Sequence, residues 1–168
     1  MLISIDAHYR EKYAKTIGLL FHDWKDSEPA DIVTSITTGA YEYEPGFFYK
    51  RELPCIMDLL SQTDLEEIDM IIIDGYVYLD GNKKPGLGHH LYKELNSKIP
   101  VIGVAKSAFF ENHATDIVSE VLRGKSTKPL YITSEGIELS KASDMIKGMH
   151  GEFRMPTLLK LMDSLTKQ

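Results

Sequence analysis

The chain has 168 residues, of which 43% are hydrophobic and 26% charged, and this composition is typical of a globular protein with one sizeable core. We therefore expect a single domain over residues 1–168. The net charge of −6 argues against a surface coated with basic residues for non-specific nucleic-acid binding. It is compatible with a local basic groove or with an acidic site that works through a bound metal.

The sequence also carries information about the compartment. No apolar run approaches the roughly 20 residues that a membrane-spanning helix needs, and the N-terminal residues do not resemble a secretory signal. The single cysteine, Cys55, cannot form an internal disulfide, which favours a reducing environment. We expect a cytoplasmic monomer without membrane contact.

The first half of the chain contains strand patterns and one helix pattern. Short apolar stretches at 2–6, 13–21 and 32–37 are separated by polar turns and predict three strands at hairpin spacing. Helical spacing of apolar residues follows at 53–60. The continuous apolar run that ends in Asp at 68–74 is typical of a strand buried on both faces.

Helices and strands alternate in the second half. A helix is predicted at 86–95, a buried strand at 99–105 and another helix at 114–122. The strand predicted at 128–133 is placed near a sheet edge because Pro129 cannot donate to a ladder. Two helices complete the chain, at 139–149 and after Met155-Pro156. The order predicts an α/β mixed sheet with helices on both faces, the strand pattern of the ribonuclease H-like fold.

Three acidic residues lie where the neighbouring sequence is apolar. Asp6 ends the first predicted strand, Glu52 opens the first predicted helix, and Asp74 ends the fourth strand. If the first and fourth strands are parallel neighbours, both aspartates emerge at one sheet edge beside Glu52. Carboxylates crowded in this way repel unless a cation neutralises them, and oxygen ligands suit Mg²⁺ or Mn²⁺.

Each of these polar residues also has an ordinary structural interpretation. An Asp after a strand is often a turn residue or a cap, and a Glu in the first turn of a helix often favours the helix dipole. Lys106 follows the strand at 99–105, where it could screen phosphate charge, orient water or open a solvated loop. His89 and His90 are adjacent on a helix and cannot readily face one ion.

Five segments follow one another along the chain: SIDAHY (4–9), YEPGFFYKRELP (43–54), IDMIIIDG (68–75), PGLGHHL (85–91) and IPVIGVAKS (99–107). Together and in this order, they resemble the endonuclease V family of deoxyinosine-directed nucleases. The resemblance implies a ribonuclease H-like fold and Mg²⁺-dependent hydrolysis of a phosphodiester, with Mn²⁺ as a possible substitute. It further implies cleavage on the 3′ side of an inosine, one nucleotide removed, in DNA or RNA, as in DNA repair.

The resemblance also implies roles for single residues. It makes Asp6, Glu52 and Asp74 the catalytic carboxylates that bind metal, and it makes Lys106 the catalytic-site lysine. The residues implied to contact the substrate are a wedge formed by Tyr43 and Pro45, and a base pocket that Gly46, Phe48 and Gly75 help to line.

The stretch after Asp74 departs from the family pattern His-Gly-x-x-His-Pro-Arg-Arg. Tyr76 and Val77 replace the His-Gly, and Asp80 stands in place of the second His. Lys83 and Lys84 replace the basic pair and are expected to contact the substrate, with loss of the planar fork of Arg. The chain also begins almost at the first Asp, so we expect a shortened and divergent member of the family.

The sequence is also compatible with two other functions. The changed residues 76–84 and the acidic balance are compatible with a nucleic-acid-binding relative that cuts weakly or not at all. A metal nuclease for a different substrate, such as structured RNA or flaps, is the other possibility. An intact set of mutually repelling carboxylates favours the nuclease, because a protein that only binds does not need them.

Overall fold

The computed structural model describes residues 1–39, 49–109 and 116–168, and these residues form a mixed sheet with helices on both faces. The strands are β1 Leu2–Tyr9, β2 Tyr13–Phe21, β3 Asp31–Thr38, β4 Met70–Asp74, β5 Val101–Ala105, β6 Ser119–Val121 and β7 Leu130–Glu135. The helices are α1 Tyr49–Leu60, α2 Leu87–Glu94, α3 Leu139–Lys147 and α4 Thr157–Lys167, with a short 3₁₀ turn at Leu65–Glu67.

The sheet order in this part of the chain is β3-β2-β1-β4-β5-β7-β6. The first three strands form antiparallel pairs, as their hairpin spacing predicts. β4 lies parallel to β1 and to β5, and its apolar run is buried on both faces because it occupies the centre of the sheet. The predicted parallel pairing of the first and fourth strands is confirmed.

Each face of the sheet carries its own apolar core. One core contains side chains of β1, β4 and β5 packed against α3 and α4. The opposite core contains the alternate side chains of the same strands packed against α1 and α2. Cys55 on α1 is 1% exposed, and its thiol donates to the carbonyl of Arg51 at 3.5 Å.

The helix predicted at 114–122 is wrong over residues 119–121. Residues 119–121 form β6 rather than part of a helix, because they pair with β7 at the end of the sheet. β7 lies between β5 and the edge strand β6, which agrees with the prediction of a strand near a sheet edge. Pro129 immediately precedes β7, so its missing N–H does not interrupt the ladder.

The end of the β1–β4 pairing positions the acidic residues. Asp6 does not end its strand, since β1 continues to Tyr9 along β2. The parallel pairing with β4, however, stops at Ile5 opposite Ile73. Asp6 and Asp74 therefore leave the paired region at the same level. None of the helices in the described residues is long and apolar enough to span a membrane.

Candidate active site

Three carboxylates meet at the carboxyl edge of β1 and β4. One oxygen from each of Asp6, Asp74 and Asp163 lies within 4.8 Å of the other two, and all three residues are partly buried. We refer to these three residues as the carboxylate cluster. The convergence of Asp6 and Asp74 agrees with the sequence prediction, whereas Asp163 was not predicted.

Asp163 comes from α4, far along the chain from the two strands. α4 packs across β1 and β2 with its apolar side against the sheet, and its polar side reaches the sheet edge. Thr166, one turn further along the helix, donates its hydroxyl to Oδ2 of Asp6 at 3.4 Å. The only sequence signal for Asp163 was an acidic residue on the polar side of an amphipathic helix, which is normally a solvated position.

Glu52 lies beside the carboxylate cluster without belonging to it. It is in the first turn of α1 and only 9% exposed. Burial raises the pKa of Glu52 to about 8, with further increases from the charges of Asp6 and Asp74, while Arg51 acts in the opposite direction. Glu52 is therefore close enough to interact electrostatically with Asp6 and Asp74, although it is not part of the carboxylate cluster.

The two strand carboxylates are also held in an unfavourable environment for charge. Burial raises the pKa of Asp6 to about 7, and the neighbouring charge of Asp74 adds to the shift. The N–H of Ala7 donates to Oδ1 of Asp6 at 2.9 Å, and this hydrogen bond lowers the pKa and offsets part of the increase. Burial also raises the pKa of Asp74, against the opposing charge of Lys106.

Lys106 supplies positive charge to the site, directly after β5. Its Nζ lies 3.4 Å from Oδ1 of Asp163 and 3.7 Å from Oδ2 of Asp74. Burial raises the pKa of Asp163, but the hydrogen bond from Lys167 and the charge of Lys106 outweigh it, and the net pKa is lowered. Lys106 therefore stabilises the ionised form of Asp163 and partly compensates Asp74.

The donor set fits a hard divalent cation. The cluster offers carboxylate oxygens from three residues within 4.8 Å of one another, and Glu52 adds another acidic group beside it. Mg²⁺ and Mn²⁺ prefer such oxygen ligands. Burial and, after it, the neighbouring carboxylates raise the pKa values of Asp6 and Glu52, and a cation at the cluster would favour their ionised forms.

Gly75 forms an open surface next to Asp74. Its φ of +137° favours glycine, and in the described residues no atom lies within 4 Å of the position where its side chain would begin. Its N–H is already used, because it donates to the carbonyl of Val104 at 3.0 Å. A ligand can therefore approach the Cα of Gly75 closely, but it cannot use that N–H without breaking a backbone hydrogen bond.

The remaining predicted substrate residues divide into two groups. Tyr43, Pro45, Gly46 and Phe48 lie outside the described residues. Lys83 and Lys84 are exposed, and the structure does not bring them to the carboxylate cluster. Lys83 instead places its Nζ 5.7 Å from the ring centre of Tyr78.

Asp80 has a structural role in the loop where the sequence departs from the family pattern. Its carboxylate accepts hydrogen bonds from the backbone N–H groups of Asn82 and Lys84, each at 2.9 Å. This arrangement is that of an Asp-stabilised turn. Asp80 therefore shapes the loop that carries the two lysines.

The adjacent histidines have separate partners, as expected from their positions on a helix. Nδ1 of His89 lies 2.8 Å from a carboxylate oxygen of Glu135. His90 stacks on Tyr49, with ring centres 3.6 Å apart. Neither contact involves the carboxylate cluster.

The sheet order, the two helical layers and the acidic cluster together define a ribonuclease H-like α/β protein. The profile of the endonuclease V family matches residues 1–164. The chain belongs to the endonuclease V family.

Individual relatives agree with this assignment. An endonuclease V from Nostoc sp. is 30% identical over 143 residues, which cover 75% of this chain and 63% of the relative. The chain thus spans less than two thirds of the length of this curated relative. Among solved structures, Ciona intestinalis endonuclease V in complex with an inosine-containing 24mer DNA has a TM-score of 0.79 at 17% identity, covering 99% of this chain and 83% of that one. Human endonuclease V has a TM-score of 0.77 at 18% identity, covering 99% and 82%.

Proposed function

We propose that this protein is a divalent-metal-dependent endonuclease that hydrolyses a phosphodiester bond on the 3′ side of an inosine in DNA or RNA. The observation that carries the proposal is the convergence of Asp6, Asp74 and Asp163 beside Glu52 and Lys106. Family membership supports it, as does the fact that the similar Ciona protein was solved with DNA containing an inosine.

Asp6, Glu52 and Asp74 are the residues that we propose to hold Mg²⁺ or Mn²⁺, with Asp163 as an additional oxygen donor. A divalent cation at such a site supplies a Lewis acid that neutralises charge on phosphate oxygens and lowers the pKa of water. The protein contributes the fixed positions of the oxygens, since Asp6 and Asp74 are on paired central strands.

Lys106 acts on the phosphate side of the same edge. Its ammonium group lies between Asp74 and Asp163, next to the proposed position of the scissile phosphate. From there it donates to a phosphate oxygen or orients the attacking water, and its charge stabilises the transition state more than the ground state.

Recognition of the base is proposed for the adjoining surface. The open face of Gly75 allows a flipped-out base to approach the backbone next to Asp74. Gly46 and Phe48 complete the pocket in this proposal, Tyr43 and Pro45 separate the strands, and Lys83 and Lys84 add charge for the substrate backbone. We further propose that the enzyme acts as a monomer in the cytoplasm.

Cleavage of defined oligonucleotides tests the proposal. End-labelled single and double strands of DNA and RNA, each with one inosine, are incubated with the protein and either Mg²⁺, Mn²⁺ or a chelator. We expect a single cut on the 3′ side of the inosine, present with either cation and absent with the chelator, because the acidic site needs the cation's charge.

Inosine-free strands of the same sequence are the control. Equal cleavage of these strands would contradict recognition of the deaminated base. Binding of the inosine strands without a cut in either cation would contradict the nuclease function and would favour the binding relative.

A further inference from the structure

We propose that Arg154 and Tyr76 are positioning residues that act through Lys106. They hold the backbone of residues 106–109 from two sides and so direct the Lys106 ammonium group to Asp74 and Asp163. The expected effect on the cleavage rate rests on the proposed function. The expected effect on the position of the Lys106 side chain does not.

Arg154 holds the first side. One of its terminal nitrogens donates to the carbonyl oxygen of Lys106 through a short hydrogen bond, and to the carbonyl of Pro129 at 2.7 Å. The segment after β5 is thereby tied to the start of β7. Because the contact is to the main chain of Lys106, it fixes the point from which the lysine side chain extends.

Arg154 is itself held in place by a buried arginine. Arg123 is 4% exposed and donates to five backbone carbonyls between residues 147 and 154, including those of Met149 and Phe153 at 2.6 Å each. A buried guanidinium with several carbonyl partners fixes a loop that has no regular structure of its own. Arg123 therefore holds the loop that carries Arg154 in a fixed position.

Tyr76 holds the second side. Its hydroxyl donates to the carbonyl of Ser107 at 2.6 Å and accepts from the N–H of Phe109 at 3.1 Å. Tyr76 follows Asp74 by two residues, so the hydroxyl links the loop after β4 to the loop after β5.

These contacts matter because Lys106 is not confined by burial. Its side chain is 36% exposed, and its two ion-pair distances, 3.4 and 3.7 Å, are longer than those of a tight charged hydrogen bond. A lysine has four rotatable bonds and a strongly hydrated charge, so its position depends on the backbone that carries it. A displacement of about 1 Å can cost about 100-fold in rate.

A double-mutant cycle tests the proposal. Arg154→Met and Tyr76→Phe are measured by single-turnover cleavage, each in the natural background and in a Lys106→Met background. We expect Arg154→Met to lower the rate about tenfold or more and Tyr76→Phe about threefold, with substrate Kd nearly unchanged. In the Lys106→Met background each further loss should be less than about twofold.

A second measurement does not depend on cleavage. The Cε resonance of Lys106, assigned by its loss in Lys106→Met, should move toward the position of exposed lysines in both Arg154→Met and Tyr76→Phe. Arg154→Lys should shift it less than Arg154→Met because the charge and part of the hydrogen bonding remain. Tyr92→Phe, which changes a tyrosine near Pro100 and Gly136 at the other end of β5, is the matched control.

The two measurements separate the possible failures. Equal losses of rate in both Lys106 backgrounds would overturn the inference, and so would an unmoved Lys106 resonance in both variants. If the natural protein does not cleave inosine strands, the proposed function fails, and the NMR result alone still decides whether Arg154 and Tyr76 position Lys106.

Discussion

Replacement of Asp6 by asparagine should lower the rate of strand cleavage at least about 1,000-fold while the protein remains folded. Asparagine has the same shape, and its amide oxygen can still accept from the N–H of Ala7. The substitution removes one negative charge from a cluster whose oxygens lie within 4.8 Å of one another. The expected loss is therefore one of cation binding and transition-state charge, measured by single-turnover cleavage of a labelled inosine strand.

Asp144→Asn is the matched control for this prediction. Asp144 is exposed on α3, and the same change of charge there should leave the rate within about twofold. Cleavage by Asp6→Asn at a rate similar to that of the natural protein would contradict the assignment of the carboxylate cluster. A loss of cooperative unfolding would instead indicate a folding defect, and circular dichroism distinguishes the two.

The second large effect concerns stability in the absence of divalent ions. The metal-free protein should become less stable as the pH rises from about 5 to about 8, and Asp6→Asn should be the more stable protein at the upper end. The pKa of Asp6 is raised to about 7 and that of Glu52 to about 8 in the folded chain. Both groups have pKa values near 4 when the chain is unfolded.

The sign follows from proton linkage. Between the unfolded and folded pKa values the folded chain binds more protons than the unfolded chain, so the free energy of unfolding falls as the pH rises. Asp163, with its lowered pKa, has the opposite effect, but only at pH values below this window. A shift of about three units corresponds to about 4 kcal/mol. The pKa shift of Asp6 depends in part on the neighbouring carboxylates, so only part of this energy is recovered when Asp6 alone is replaced. We therefore expect Asp6→Asn to raise the free energy of unfolding by about 2 kcal/mol, or the Tm by roughly 4–8 °C.

Thermal unfolding after treatment with a chelator measures this effect. Added Mg²⁺ or Mn²⁺ should raise the Tm of the natural protein more at about pH 8 than at about pH 5.5, since the ion binds ionised carboxylates. The increase should be largely absent in Asp6→Asn. A metal-free protein that is more stable at the higher pH, with no gain from Asp6→Asn, would contradict an undercompensated cluster.

The sequence predicted the centre of the fold because its signals there are local and strong. The run Met70–Asp74 is typical of a strand buried on both faces, and strands of that kind usually have parallel neighbours. Once β1 was placed beside it, the meeting of Asp6 and Asp74 followed from the register. The position of Lys106 followed in the same way from the buried β5.

The parts that were missed depend on contacts between distant segments. Asp163 reaches the site only because α4 packs across β1 and β2, and nothing in the helical spacing of residues 157–167 reveals that position. β6 is only three residues long, and its structure is set by pairing with β7 rather than by its own spacing. The hydrogen bonds from Arg154 and Tyr76 to residues 106–109 are likewise products of tertiary packing.

Paramagnetic Mn²⁺ directly locates the catalytic cation that we propose for the carboxylate cluster. Amide resonances are recorded during a titration with substoichiometric Mn²⁺, which broadens signals near its binding site. We expect the amides of Ala7, Gly75 and Ser164, which follow the three aspartates, to broaden first in the natural protein and to stay sharp in Asp6→Asn. Broadening first at Gly81 and Asn82, beside Asp80, or no selective broadening at all, would contradict this proposal.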